Sequence, residues 1–315
     1  MLRKINLFVD KHLGIIFLIP GLSVIVFILA YPVITNIYLS FTNKHLIYRG
    51  YKFVGFENYL MILKEDIFTT ALYNTFFFTF TSIVLQFLIG LITALILNKP
   101  LKGMIFFRLA LIIPYAFPPI IIALLWKWLL SKMYGIYNFF LMNINLIEQP
   151  IPWLGHPDFS MSAAVMVNVW FGFPLFTLGI LAGLQSIPSE QYEVARIEGA
   201  NWYQTFWYVT LPNILTIVGI IIILRTIWVF NTFDLVYVLT GGGPINSTMT
   251  LPIYSYLVGW KSGLLGETAA VAIFLFLISS SACSRACLQE RSERPPKRHG
   301  ESKRAWSRAR SRRRR

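Results

Sequence analysis

Apolar runs of about 20 residues, the length a helix needs to cross a bilayer, alternate with short polar segments along most of the chain. Hydrocarbon offers no partner to an unpaired backbone amide, so each run is expected to be a helix rather than an open strand. Span 1 is expected from Leu13 to about Ile37, with Pro20 and Pro32 as kinks. Its apolar run exceeds the roughly 7 to 15 residues of a signal-peptide core, and no small-x-small cleavage pattern closes it. Residues 1–12, with Arg3, Lys4 and Lys11, therefore read as a cytoplasmic N-terminus before an uncleaved span. Residues 39–69 read as a moderately polar external loop.

Span 2 is expected from about Ala71 to Leu97, and Lys99, Lys102 and Arg108 mark its end as cytoplasmic. Span 3 covers about Met104 to Leu130, with Pro114, Pro118 and Pro119 breaking it midway. Residues 131–160 lie outside, with Trp153 as an interface anchor, and span 4 runs from about Met161 to Leu184, broken by Gly172 and Pro174. Span 5 runs from about Asn213 to Phe233, followed by a flexible external turn at Gly241-Gly-Gly243-Pro244 and an amphipathic segment. A sixth apolar stretch covers only Ala269–Ile278. The fold class is an all-α polytopic transmembrane bundle of about six spans, the sixth truncated or altered.

Composition agrees: 56% of the 315 residues are hydrophobic and only 13% charged, against about 25% charged in a soluble domain. The formal charge of +14 invites a nucleic-acid reading until it is located. From Arg285 to Arg315 there are 13 Lys and Arg against 3 Glu, a net of +10, so the body is only mildly basic and no specific nucleic-acid partner is expected. Cys283 and Cys287, the two cysteines, fall at the start of this tail and suggest neither a disulfide framework nor a zinc site. After Ile278 isoleucine disappears and basic residues change from a Lys to an Arg majority. Two readings compete for residues 279–315. One is a genuine tail that binds anionic membrane lipid or nucleic acid. The other, which better explains a span cut off in mid-run, is a change of reading frame near residue 279, making the segment aberrant rather than native to this domain.

The loop at 185–212 is acidic on the side where basic residues are expected: Glu190, Glu193 and Glu198 face Arg196 alone. Ser189 is placed to be an N-cap, Glu190 and Glu193 suit the positive end of the helix dipole, and Gly199 supplies a left-handed stop. Asn201 can cap a second, aromatic-rich helix ending where Pro212 begins the next span. A short rigid helix with exposed carboxylates suits a complementary groove on a partner, whereas the plainer alternative is a solvated acidic loop.

Tyr192-Glu193-Val194-Ala195-Arg196-Ile197-Glu198-Gly199-Ala200, with Leu211-Pro212 after it, resembles the glutamate-alanine-alanine loop of membrane subunits of binding-protein-dependent ABC importers. Leu184–Pro188 and Asp234–Pro244 are similar to the sugar-type permeases of that family, and the resemblance covers about residues 10 to 278. Val194 in place of alanine and Glu198 in place of the commoner aspartate are mild departures. The resemblance implies a type I importer permease architecture for residues 13–278. It also implies a coupling surface formed by Glu190, Glu193, Ala195, Glu198, Gly199, Ala200 and Pro212. The implied partners are a second permease, two cytoplasmic ATPases and an extracytoplasmic solute-binding protein, in a bacterial or archaeal cell membrane.

No G-x-x-x-x-G-K-[ST] loop occurs, so the chain is expected to be no ATPase and to hold no cofactor, with ATP used by a partner. Polar residues within spans are candidates for a solute path because burying them in lipid is costly. Asn74, Gln86 and Asn168 are among them, the first two reading more readily as helix-to-helix hydrogen bonds. Arg225, Trp228, Asn231, Phe233 and Asp234 cluster around span 5, where aromatic faces suit sugar rings. An ion-coupled secondary transporter is the alternative, but no carboxylate lies in the centre of spans 1 to 5 and no repeated half is evident. The four histidines are scattered in loops and tail, which gives a membrane enzyme no constellation to work with.

Overall fold

The computed structural model describes residues 2–99 and 103–293, with side chains over 17–99 and 103–281. Among the described residues the chain is helical, and its extended pairing is limited to isolated bridges at Thr42–Phe53 and His45–Leu264. The first helix, α1 (Leu2–Ser40), takes in the basic N-terminal segment and runs through Pro20 and Pro32. The expected external loop contains a short helix, α2 (Glu57–Lys64), before α3 (Asp66–Leu97). Span 3 is two helices, α4 (Met104–Ala116) and α5 (Pro119–Leu129), bent by 97°. The break falls at Phe117-Pro118; Pro114 lies inside α4 and does not interrupt it.

A short helix, α6 (Ile136–Asn143), precedes α7 (Pro157–Gln185). Trp153, expected as an interface anchor, donates its indole N–H to Asn138 Oδ1 at 2.8 Å, so its polar tip serves the protein. Against expectation α7 is unbroken through Gly172 and Pro174. Packing overrides the local signal there, because both residues are buried against neighbouring spans. Then come α8 (Ser189–Ile197), α9 (Trp202–Thr205), a π-helical turn over Phe206–Thr210, and α10 (Leu211–Phe230). After α10 come α11 (Asp234–Thr240) and α12 (Leu251–Tyr256), with a second π-helical turn at Leu257–Lys261, and α13 (Leu265–Glu293) follows.

Among the described residues four helices are long and apolar enough to cross a membrane, and counting the bent pair as one span gives five. The apolar part of α13, Leu265–Ser281, is shorter, which matches the expected short sixth span. The helix nevertheless continues through Ser279–Ser281 to Glu293, while residues 294–315 of the arginine-rich tail lie outside the described residues.

The core is the contact of α3, α7 and α10. Gly90 of α3 lies so close to α7 that a Cβ there would stand 2.5 Å from Phe176 Cβ and 3.1 Å from the Thr177 nitrogen. Small residues permit this approach, which matters in lipid because packing rather than hydrophobic exclusion drives spans together. Gly183 of α7 gives Ile214 and Ile217 of α10 the same room.

The segments after α1 and between α11 and α12 are pinned by hydrogen bonds. Asn58 donates to the carbonyls of Ser40 and Thr42, each at 2.8 Å, and Asn74 to those of Asn246 (3.1 Å) and Met249 (3.0 Å). Asn74 is thus a structural tie, to a loop rather than to a helix. The glycine turn, expected to be flexible, is held as well: Gly241 closes α11 in the left-handed region, and Thr248 donates to the Gly243 carbonyl at 2.9 Å. The Tyr254 hydroxyl donates to Glu65 Oε2 at 2.6 Å; burial first, and that bond next, push its pKa well up, so it remains a donor.

Replacing Gly90 by leucine is expected to force α3 and α7 apart at a cost of about 1–3 kcal/mol, read as a lower unfolding temperature in detergent. Unchanged stability would show that the two helices do not depend on this approach.

Candidate functional site

The acidic loop folds as a helix, a glycine turn and a helix. The turn follows from one left-handed residue: Gly199 (φ 78°) lets its own N–H reach the Arg196 carbonyl at 3.1 Å and the Ala200 N–H reach the Ala195 carbonyl at 2.9 Å. This paired arrangement closes the otherwise open carbonyls at the end of α8. Nothing lies within 4 Å of where a Gly199 Cβ would sit, so glycine is needed there for backbone conformation, not for space. Asn201 then starts α9 with a full capping box: its side chain accepts from the Gln204 N–H and Gln204 Oε1 accepts from the Asn201 N–H, both at 2.9 Å.

Two expectations need correction. The N-cap of α8 is Pro188, with Ser189 the first helical residue and no side-chain cap bond, because the extended backbone of Pro188 already sets the entry. Nor does Pro212 separate the aromatic segment from the next span. The helix continues from Trp202 to Phe230, and the π-helical turn absorbs the proline by having the Leu211 N–H reach the Phe206 carbonyl.

Glu190, Glu193 and Glu198 are all exposed, whereas Ala195 is buried at 8% exposure and Ala200 is half-buried. Positions 190, 193, 194 and 197 lie three and four residues apart and share one face of α8. Val194 and Ile197 are 53% and 85% exposed on that face, so the carboxylates flank an uncovered apolar strip. Ile197 was not singled out from the sequence; its helical register with Glu190 and Glu193 is the signal that would have found it.

The opposite side of α8 is tied to the next span. Tyr192 and Thr210 hydroxyls meet at 3.3 Å, and Asn213 Nδ2 donates to Gln191 Oε1 at 2.8 Å. Thr210 and Asn213 bracket Pro212, so the helix bearing the acidic face is attached to the foot of α10. These partners are 18 and 22 residues apart, and no local sequence signal points to them.

The span-5 candidates fall into separate places. Arg225, 3% exposed, donates Nε to Gln86 Oε1 at 3.0 Å, and Gln86 Nε2 donates to the Asn168 carbonyl at 3.0 Å. A Cβ on Gly172 would collide with Arg225 Nη2 and the Gln86 amide. Trp228 and Asn231 sit exposed on α10, with Asn231 donating to the Ile227 carbonyl at 2.8 Å. Phe233 stacks on Tyr237 with centroids 4.9 Å apart and meets Tyr256 at 5.0 Å, an aromatic group whose tyrosines the sequence had not singled out. Asp234, also exposed, opens α11. Among the described residues no cluster of His, Cys, Asp or Glu could hold a metal ion.

Residues 86–291 match the family described as binding-protein-dependent transport system inner membrane component, a range that runs past Ile278. The chain is 35% identical over 269 residues to the trehalose/maltose transport system permease protein MalF of Thermococcus litoralis, covering 85% of this chain and 90% of that one. It is 33% identical to the multiple sugar-binding transport system permease protein MsmF of Streptococcus mutans, over 88% and 93% of the two chains. Among solved structures it is similar to a chain of a bacterial ABC transporter involved in import of the acidic polysaccharide alginate, with TM-score 0.79, 18% identity and coverage of 93% and 100%. At that identity the likeness speaks to fold alone. The resemblance read from Tyr192–Ala200 is borne out.

Tyr192→Phe combined with Asn213→Ala should free α8 from α10. Each lost bond is worth about 0.5–1.5 kcal/mol, so amide exchange over 189–197 should rise several-fold while the core of α10 stays protected. Exchange unchanged across α8 would mean that the two bonds do not hold it.

Proposed function

This chain belongs to the binding-protein-dependent transport system inner membrane component family, and we propose that it forms half of the transmembrane path of an ATP-driven sugar importer. The family is one of transport permeases, and the chain is a multi-pass membrane protein. In the proposed assembly a second permease completes the path, two cytoplasmic ATPases supply the work, and an external solute-binding protein delivers the solute. The N-terminus and the acidic loop lie on the cytoplasmic side of a bacterial or archaeal cell membrane. The chain holds no cofactor; ATP is used by the partner.

The observation that carries this reading is the acidic loop. An exposed stripe of Glu190, Glu193, Val194 and Ile197, backed by the Gly199 turn and bonded to the foot of α10, has the form of a helix docked in a partner's groove. Closure of the ATPases would push on α8, and the Tyr192–Thr210 and Gln191–Asn213 bonds would pass the displacement to α10, rocking the bundle between outward and inward states. Ala195, Glu198, Ala200 and Pro212 complete the unit by packing, turning and joining it to the span.

A carbohydrate cargo is supported by the names of the relatives, two of which are sugar permeases. One solved structure of similar fold is a bacterial alginate ABC transporter in complex with an alginate pentasaccharide-bound periplasmic protein, which supports a delivery partner. Arg225, Trp228, Asn231, Phe233 and Asp234 are the proposed path residues, with the Phe233–Tyr237–Tyr256 group suited to stacking on a sugar ring.

Glu193→Lys should lose co-purification with the ATPase at least tenfold, since reversing a docking charge costs about 2–5 kcal/mol. Gly199→Trp should do the same by straining the turn, and in both variants uptake should fall while the spans keep their unfolding temperature. Undiminished ATPase binding and uptake in both would defeat the docking assignment.

A further inference from the structure

We propose that the groove between the end of α3 and the α8–α9 turn binds an anionic phospholipid of the leaflet on the loop side. This goes beyond the transport reading, which assigns no ligand to the groove. Its cavity is about 770 Å³, walled by Ile92 and Ile96 of α3 and by Phe206 and Trp202 on the other side, and it is also lined by Lys99 and Arg196. The apolar wall is continuous with the exposed apolar surface of α3 at Ile92 and Ile96.

The charge in the groove has one sign. No carboxylate lines it, and among the described residues none lies within ion-pairing distance of Lys99 or Arg196. At the carbonyl end of α3, which would oppose a bound phosphate, three carbonyls are bonded: Arg108 Nη2 donates to that of Leu97 at 3.0 Å, the Asn98 N–H to that of Ala94 at 2.9 Å and the Lys99 N–H to that of Ile96 at 3.2 Å. The carboxylates of α8 sit on its exposed stripe, outside the groove lining. Two cations over an apolar wall, at the depth where a span leaves the bilayer, match one phosphodiester and one acyl chain. A soluble anion would leave the isoleucines uncovered, whereas a lipid uses both halves. Because Lys99 lies just beyond the end of α3 and Arg196 belongs to α8, the bound headgroup would bridge a span and α8.

The test titrates the intact chain, in neutral detergent, with phosphatidylglycerol carrying a photoreactive acyl chain, and reads the labelled peptides by mass spectrometry. Saturable labelling of 88–99 and 202–207 is expected, displaced by unlabelled phosphatidylglycerol but not by phosphatidylcholine or glycerol phosphate. In Lys99→Gln/Arg196→Gln the half-saturating lipid concentration should rise about 30-fold, from roughly fivefold per basic residue. Lys99→Arg/Arg196→Lys keeps both charges and should restore binding, which separates lost charge from lost fold. Equal labelling by a phosphatidylcholine analogue, labelling confined to the arginine-rich segment after residue 284, or unchanged affinity in the charge-removed pair would overturn the site. Displacement by glycerol phosphate, or protection of the groove once the second permease is assembled, would overturn it in favour of a soluble anion or a protein contact.

Discussion

Gln86 serves three spans with one side chain. Its carbonyl oxygen takes the Arg225 Nε proton from α10, and its amide nitrogen donates to the Asn168 carbonyl of α7 while the residue itself belongs to α3. An arginine within a bilayer costs a few kcal/mol unless it faces the interior and finds partners, so this contact decides which face of α10 turns inward. It also explains Gly172: any side chain there would strike the guanidinium and the amide that it bonds. Once α3, α7 and α10 are locked, the glycines at 90 and 183 let the helices approach closely enough for dispersion to hold them.

The consequence for function runs along α10. Its first turn continues without interruption from the aromatic segment below it, and the π-helical turn at Phe206–Thr210 keeps the register despite Pro212. A break at that proline would have left α8 on a loose tether. Instead α8 is bonded to Thr210 and Asn213, on either side of the proline, so a push on α8 reaches the helix that carries Arg225. In the proposed importer the buried polar seam and the acidic helix are therefore two ends of one lever.

What the sequence made legible was local chemistry. Gly199 as a left-handed stop and Asn201 as a cap depend on neighbours within a few residues, and both are as expected. The failures share a cause. Pro114, Pro174 and Pro212 read as helix breaks, yet each sits in a continuous helix, because neighbouring spans and local π adjustment satisfy what a proline removes. The ties that matter most, Gln86 to Arg225 and Asn74 to the 246–249 loop, join residues more than a hundred positions apart, and periodicity carries no information about such pairs. The sixth span was legible in its shortness but not in its continuation, since helix persists past Ile278 although the apolar pattern stops.

The two sides of α8 carry the remaining argument. Holding three carboxylates against a single arginine brings no ion-pair stabilisation, because none of them forms an ion pair among the described residues. Exposing Val194 and Ile197 beside them adds uncovered apolar surface at a place where solubility alone would prefer polar residues. Both costs disappear if a partner covers the stripe: the apolar pair is buried, and the carboxylates meet opposite charge at its rim. The inner side of the helix shows the reverse pattern, with Ala195 buried, Tyr192 and Gln191 bonded to α10, and Arg196 turned toward an apolar groove. A helix bonded on one side and uncovered on the other suits the docking proposed for it.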